Sequence, residues 1–137
     1  MDEFTLAYIE AALWSSTAYG SPEEQEQDPD HEGHFDASFQ SLGYDMSEEA
    51  KQQCVKDCEA FQQDNAELLA KWYEECGESP ERAGHDFWLT RNGHGAGFWD
   101  RWSSSTPQGK IGYQLSLFAH ADGDVNLYWT ENGAAIG

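Results

Sequence analysis

The amino-acid sequence predicts an α+β fold, with about four helices packed with a small antiparallel β-hairpin or sheet at the C-terminus. Apolar residues recur at three- and four-residue spacing over several long stretches, which is typical of helices. Residues 125–129 alternate between apolar and polar side chains, as a strand does, and Glu131-Asn132-Gly133 is a typical hairpin turn. Because the chain has 137 residues, we expect a single domain over 1–137, with an acidic, loop-like insertion at about 18–46.

The first helix is predicted at residues 3–14, where Phe4 and Tyr8 begin a repeating apolar face. Asp2 precedes it as an N-cap, since its carboxylate can accept a hydrogen bond from a free N–H of the first turn. The insertion at 18–46 follows. Between residues 22 and 36 it carries seven carboxylates and no lysine or arginine, a pattern typical of a solvated loop.

The longest helix is predicted at about 48–75. Ser47 can cap it, and Gly77 ends it because glycine readily adopts the left-handed conformation that follows a helix. One side of this helix is apolar apart from one asparagine; it comprises Ala50, Cys54, Cys58, Phe61, Asn65, Leu68, Leu69, Trp72 and Cys76. Because the sequence contains no Cys-x-x-Cys pair, we interpret the three cysteines as buried free thiols rather than as zinc ligands.

Two further helices begin with the same kind of signal. Ser79-Pro80 starts a helix over 80–91 and Thr106-Pro107 starts one over 107–120, since proline is favoured at the first helical position. Gly109 and Gly112 weaken the second prediction, because glycine costs roughly 1 kcal/mol inside a helix. A strand at 113–118 therefore remains an alternative.

Residues 84–101, the central segment, combine aromatic side chains with groups that can perform chemistry. Its members able to act as acids, bases or anion ligands are His85, Asp86, Arg91, Asn92, His94, Asp100 and Arg101. His85, His94 and Asp100 are weak candidates for metal ligands, but no zinc, phosphate-loop or nucleophile motif accompanies them, so no cofactor is expected. The same residues could instead form a buried polar network in which Asp86, Thr90, Asn92 and Asp100 bond to indole, imidazole and guanidinium groups.

The charge is strongly negative, with 26 acidic and 7 basic residues and a net charge of −19. Such a charge argues against direct binding to nucleic acid or to an anionic membrane, because both require a cationic surface. No apolar run reaches the length of a membrane span either. Two interpretations remain. One is that the charge keeps the surface solvated, and the other is that the carboxylates compete with nucleic acid for a basic surface on another protein.

Several stretches resemble a family of small acidic proteins encoded by tailed bacteriophages and related mobile elements. The resemblance is strongest over residues 83–101, AGHDFWLTRNGHGAGFWDR, and extends to residues 4–17, 57–61 and 125–128. Residues 18–46 and the segment after Thr106-Pro107 depart from the family pattern. The resemblance implies expression in the cytoplasm of an infected bacterium and implies no catalytic residues.

Together, charge and resemblance suggest a phage-type accessory protein that inhibits a host nucleic-acid-handling or defence protein by mimicking nucleic acid. Its partner would be a host protein with a basic surface, contacted by the carboxylates of the insertion: Glu23, Glu24, Glu26, Asp28, Asp30, Glu32 and Asp36. The alternative is a small enzyme or ligand-binding protein that uses the polar cluster of His85–Arg101. A plain interaction module anchored by aromatics such as Trp102 or Trp129 is a third possibility. The oligomeric state is left open.

Overall fold

Helices account for most of the computed structural model, which describes residues 1–15, 46–93, 97–125, 127–130 and 133–136. The five α-helices of the described residues are α1 (Glu3–Ser15), α2 (Glu48–Asp64), α3 (Ala66–Cys76), α4 (Pro80–Arg91) and α5 (Pro107–Ala121). A 3-10 turn at Phe98–Asp100 lies between α4 and α5. The predicted insertion at 18–46 lies, except for Met46, outside the described residues.

The predicted α+β class is wrong, because the fold is mostly helical. In the described part of the chain, the sheet is a two-stranded ribbon of β1 (Leu127–Thr130) and β2 (Gly133–Ile136), with Leu127 opposite Ile136 and Thr130 opposite Gly133. Two strands of four residues are too small to form a packing layer. The core is instead built from helical side chains such as Tyr8, Phe61, Phe87 and Leu115. The alternation at 125–129 is a local pattern, and it does not determine what the core is made of.

The long helix predicted at 48–75 is divided at Asn65. This residue leaves the helical conformation, with φ −120° and ψ 24°. Its side-chain Nδ2 and its own backbone N–H both donate to the carbonyl oxygen of Phe61, at 2.9 and 3.0 Å. A side-chain amide that bonds nearby backbone in this way favours an interruption of the helix. The predicted buried face is nevertheless confirmed on both halves, and Gly77 ends α3 at φ 67°.

The closest helix packing in the core joins α1 to α4, and a glycine makes it possible. A Cβ on Gly84 would overlap the carbonyl oxygen of Phe4, so no other residue allows the two backbones to approach so closely. This approach brings the ring of Phe4 within 6.0 Å of the ring of Phe87, which stacks on Phe61 at 4.1 Å between centroids. Aromatic packing therefore ties α1, α2 and α4 together.

Residues 107–121 form the helix α5, so the helix is confirmed and the alternative strand at 113–118 is wrong. The two glycines that weaken the helical pattern lie at close contacts. A Cβ on Gly112 would meet the carbonyl oxygen of Phe98 and come within 3.1 Å of the Trp72 ring, and one on Gly109 would overlap the carbonyl oxygen of Ser103. The conformational cost of both glycines is therefore offset by tight packing.

Among the described helices, none is long and apolar enough to cross a lipid bilayer.

We expect Gly84→Ala to lower the free energy of unfolding by about 1–3 kcal/mol or more, because the added methyl group forces α1 away from α4. Urea unfolding followed by circular dichroism measures the change. Gly93→Ala is the matched control: Gly93 has φ 69°, and no atom of the described residues outside its chain neighbours would lie within 4 Å of an added Cβ, so only backbone strain of about 1–2 kcal/mol is expected. A smaller loss for Gly84→Ala than for Gly93→Ala would contradict the close α1–α4 contact.

Candidate functional site

The part of the central segment that follows α4 is hydrogen-bonded back onto that helix. Thr90 Oγ1 accepts a hydrogen bond from the backbone N–H of Phe98 at 3.1 Å. Asp100 Oδ1 accepts one from the backbone N–H of Gly97 at 2.9 Å, which closes the turn. Gly97 adopts φ 154°, and a Cβ there would overlap the hydroxyl of Thr90. Asp100, a candidate acid or metal ligand by sequence, thus serves as a capping group in this turn.

Asp86 and Arg101 form a buried, bidentate ion pair. Arg101 Nη2 lies 2.6 Å from Asp86 Oδ1, and Arg101 Nε lies 2.9 Å from Asp86 Oδ2. The Asp86 side chain is 0% exposed, and this burial raises the pKa of Asp86, against the opposing effect of Arg101. The hydrogen bond to Asp86 in turn raises the pKa of Arg101. Both carboxylate oxygens are engaged, so Asp86 serves to hold the 97–101 turn against α4.

Arg91 connects three helices and the turn that follows a fourth. Its Nη1 donates to Tyr8 Oη at 3.0 Å and to Asp57 Oδ2 at 3.1 Å, which lie on α1 and α2. Its Nε and Nη2 donate to the carbonyl oxygens of Gly123 and Asp122, at 2.7 and 2.9 Å, just after α5. Burial alone would lower the pKa of Arg91, but Tyr8 and Asp57 raise it, so the group stays cationic. This is a structural arrangement, because every partner belongs to the fold.

Asn92 completes the C-terminal end of α4 in a similar way. Its Nδ2 donates to the carbonyl oxygen of Trp88 at 2.9 Å, and its Oδ1 accepts from the backbone N–H of Val125 at 2.8 Å. The amide thus joins the end of α4 to the chain that leads into β1. Both ends of the side chain therefore bond to the fold.

His85 and Arg101 are two sequence-predicted residues that lie beside a cavity. An open, polar cavity of about 380 Å³ is lined by His85 and Arg101 together with Glu10, Ser79, Glu81 and Arg82. Burial lowers the pKa of His85, which favours the neutral imidazole. The sequence analysis missed four of these lining residues. Glu81 and Arg82 precede His85 by one helical turn and could have been found by that spacing, whereas Glu10 reaches the cavity from α1.

The seven candidate side chains do not form one site. Near the middle of α4, His85 lies beside Asp86, which pairs with Arg101. At the C-terminal end of α4, Arg91 and Asn92 contact α2 and the chain that follows α5. His94 lies outside the described residues, as do the acidic partner-binding candidates Glu23–Asp36. Within the described ranges, no group of three or more His, Cys, Asp or Glu side chains is arranged to hold a metal ion.

The three cysteines are free and buried, as the sequence predicts. Burial raises the pKa of Cys54 to about 12 and also raises the pKa values of Cys58 and Cys76. A thiol that stays protonated at neutral pH is a poor nucleophile and a poor metal ligand. These side chains therefore act as small apolar groups of the core.

Comparison with protein-family models, with curated proteins and with solved structures found no match for this chain.

Replacing Arg91 with alanine should lower the free energy of unfolding by about 3–5 kcal/mol, since it leaves the buried hydroxyl of Tyr8 and the carboxylate of Asp57 without their cation. Arg82→Ala on the same helix is the matched control. The Arg82 side chain is 55% exposed and pairs with Glu78 at 3.4 Å, but the Glu78 side chain is 7% exposed. A loss of about 1–2 kcal/mol, smaller than that for Arg91→Ala, is therefore expected. Urea unfolding measures both, and equal losses would show that Arg91 does not hold the helices together.

The stability of the protein should depend on His85 below neutral pH. Its folded-state pKa lies below the ordinary value of 6.5. The stability associated with neutral His85 is therefore fully present above pH 6.5 and is lost as the pH falls through the folded-state pKa. His85→Gln removes this titration. As the pH falls, the free energy of unfolding should decrease more steeply for the wild type than for the variant. The same pH dependence in both proteins would contradict a lowered pKa of His85.

Proposed function

We propose that this chain is a phage-type accessory protein that binds the basic, nucleic-acid-binding surface of a host protein and blocks it. The observation that carries the proposal is the acidic outer surface of α2 and α3. These two helices contain eight carboxylates and three lysines, and seven of the eight carboxylates are exposed: Glu48, Glu49, Glu59, Asp64, Glu67, Glu74 and Glu75.

These exposed carboxylates are available to a partner. Within the described part of the chain, Glu48 is the one of the seven that forms an ion pair, with Lys51 at 3.3 Å. The remaining carboxylate of the two helices, Asp57, is bound to Arg91 and belongs to the interior network. Of the eight carboxylates on α2 and α3, one therefore stabilises the fold and the other seven are exposed.

Exposed carboxylates on rigid helices can take the place of phosphates. Proteins that bind nucleic acid do so largely through lysine and arginine side chains, and the same cations attract any dense anionic surface. Carboxylates mounted on two successive helices form a surface more rigid than a loop would provide. An α-helix rises 1.5 Å per residue, so α2 alone extends for roughly 25 Å.

The interior arrangement also favours a surface function over catalysis. The polar side chains that the enzymatic alternative would use bond to other parts of the fold: Asp86, Arg91, Asn92, Asp100 and Arg101. The resemblance to acidic phage proteins supports a role in the cytoplasm of an infected bacterium. There the enzymes of restriction, CRISPR defence and DNA repair are the relevant class of partner.

Capture of partners from bacterial lysate on the immobilised protein at low salt tests the proposal. We expect nucleic-acid-binding proteins to be retained, to elute as the salt rises, and to be displaced by added duplex DNA, because exposed charges are screened by salt. Partners held equally at low and high salt, or unaffected by duplex DNA, would contradict it.

Two charge-reversal variants show which surface is used. One carries Glu67→Lys, Glu74→Lys and Glu75→Lys on α3, and the other carries Glu23→Lys, Glu24→Lys and Glu26→Lys in the insertion. Both change the net charge by the same amount. If α3 contributes to the binding surface, the α3 variant should capture less of the host proteins than the insertion variant does, because the change in net charge is the same in both. Circular dichroism should show that its helices are intact. The reverse order of losses would assign binding to the insertion, and equal retention by both would exclude these two acidic surfaces.

A further inference from the structure

The polar cavity beside His85 brings together charged side chains from three parts of the fold. Glu10 comes from α1, and Arg101 follows the 3-10 turn. Glu81 and Arg82 come from the first turn of α4. The cavity volume of about 380 Å³ lies within the range of sites that bind small molecules. Because charges of both signs line it, the ligand that fits it best is itself charged.

Arg101 is held in place by the fold, and one edge of its guanidinium group is available to a ligand. Its Nε and Nη2 bond to the two carboxylate oxygens of buried Asp86, at 2.9 and 2.6 Å. Within the described residues, Nη1 makes no hydrogen bond. A guanidinium group presents its N–H donors in a planar fork that matches a carboxylate. Because Asp86 already fixes the side chain, a ligand that binds its outer edge costs little additional side-chain entropy.

Glu10 and Glu81 leave two negative charges in the cavity that the described residues do not neutralise. They form no ion pair in the part of the chain that the structure describes, because both arginines are already paired: Arg101 with Asp86, and Arg82 with Glu78. Burial lowers the pKa of His85, so the imidazole adds little positive charge at neutral pH. Four carboxylates thus accompany two guanidinium groups, a net charge of −2.

We propose that this cavity binds a small zwitterion with an excess of positive charge, such as a basic α-amino acid. The carboxylate of the ligand bonds to the outer edge of Arg101, and its two cationic groups lie toward Glu10 and Glu81. Each charge of the ligand then has a partner of opposite sign. The net charge of the chain, −19, also attracts a ligand whose own net charge is positive.

Simpler ligands match the cavity less well. An anion such as phosphate could bond to Arg101, but it would also face the two unpaired carboxylates. A polyamine could pair with the carboxylates, but it would place a cation beside Arg101. Among the described residues, no group of three or more His, Cys, Asp or Glu is arranged to hold a metal ion. The exposed carboxylates of α2 and α3 do not line this cavity, so the proposal is independent of partner binding by that surface.

Isothermal titration calorimetry of the full chain tests the proposal with L-arginine, L-lysine and agmatine, which is L-arginine without its carboxylate. We expect saturable binding of the two amino acids. Agmatine should bind about tenfold more weakly than L-arginine or worse, because it lacks the charge-assisted hydrogen bonds to Arg101. Equal affinity for agmatine and L-arginine, or no saturable binding of either amino acid, would overturn the proposal. L-Glutamate binding as tightly as L-arginine would overturn it as well.

Two substitutions test the position of the site. Glu81→Gln removes a carboxylate of the cavity with little change in size, and it should raise the dissociation constant of L-arginine by about tenfold. Glu67→Gln removes the same charge at an exposed position on α3 and should leave that constant nearly unchanged. Circular dichroism checks that both variants are folded. Equal weakening by the two changes would show that net charge alone attracts the ligand, and it would overturn the assignment of the site.

Arg101 is tested through the ligand rather than by substitution. Removing Arg101 would leave the buried carboxylate of Asp86 without its cation, so a loss of binding could reflect a loss of the fold. The comparison of L-arginine with agmatine leaves the protein unchanged and reports on the same contact.

Discussion

Among the described residues, one buried cation joins most of the helices. Arg91 is 7% exposed and contacts α1 through Tyr8, α2 through Asp57 and the end of α5 through two backbone carbonyl oxygens. A guanidinium removed from water must be paired and hydrogen-bonded, or its burial costs several kcal/mol. Because its partners come from different helices, satisfying this one group places those helices relative to α4. The ring of Phe87 beneath it, 5.3 Å from the guanidinium carbon, joins the same cation to the aromatic core.

The same requirement accounts for many of the polar side chains of the central segment, which bond to other parts of the fold. Three hydrogen-bonded pairs each satisfy a buried or half-buried group that would otherwise lack a partner: Asp86 with Arg101, Asn92 with Val125, and Asp100 with Gly97. The exposed surface of the described residues includes the carboxylates of α2 and α3 and an apolar face on α5.

Local signals in the sequence predicted the helices well. Ser47, Ser79 and Thr106 all accept a hydrogen bond from the backbone N–H three residues later, and Asp2 does the same for Thr5. The α+β class was wrong because an alternating strand pattern says nothing about how many strands will pack. The break at Asn65 was missed because its apolar neighbours continue the same face. Whether an amide side chain caps the carbonyl four residues before it or points into solvent depends on the packing around it.

Apart from the break at Asn65, the sequence by itself determined where helices begin and end and which faces they bury, because capping and helical periodicity act between residues three or four apart. Only the tertiary structure decided which polar groups meet: Tyr8 and Arg91, or Asp86 and Arg101, are far apart along the chain and are joined by helix packing. It also decided that Gly84 and Gly112 are sites of close contact rather than weak points of a helix. Such contacts depend on the free energy of packing the whole core, which no local pattern records.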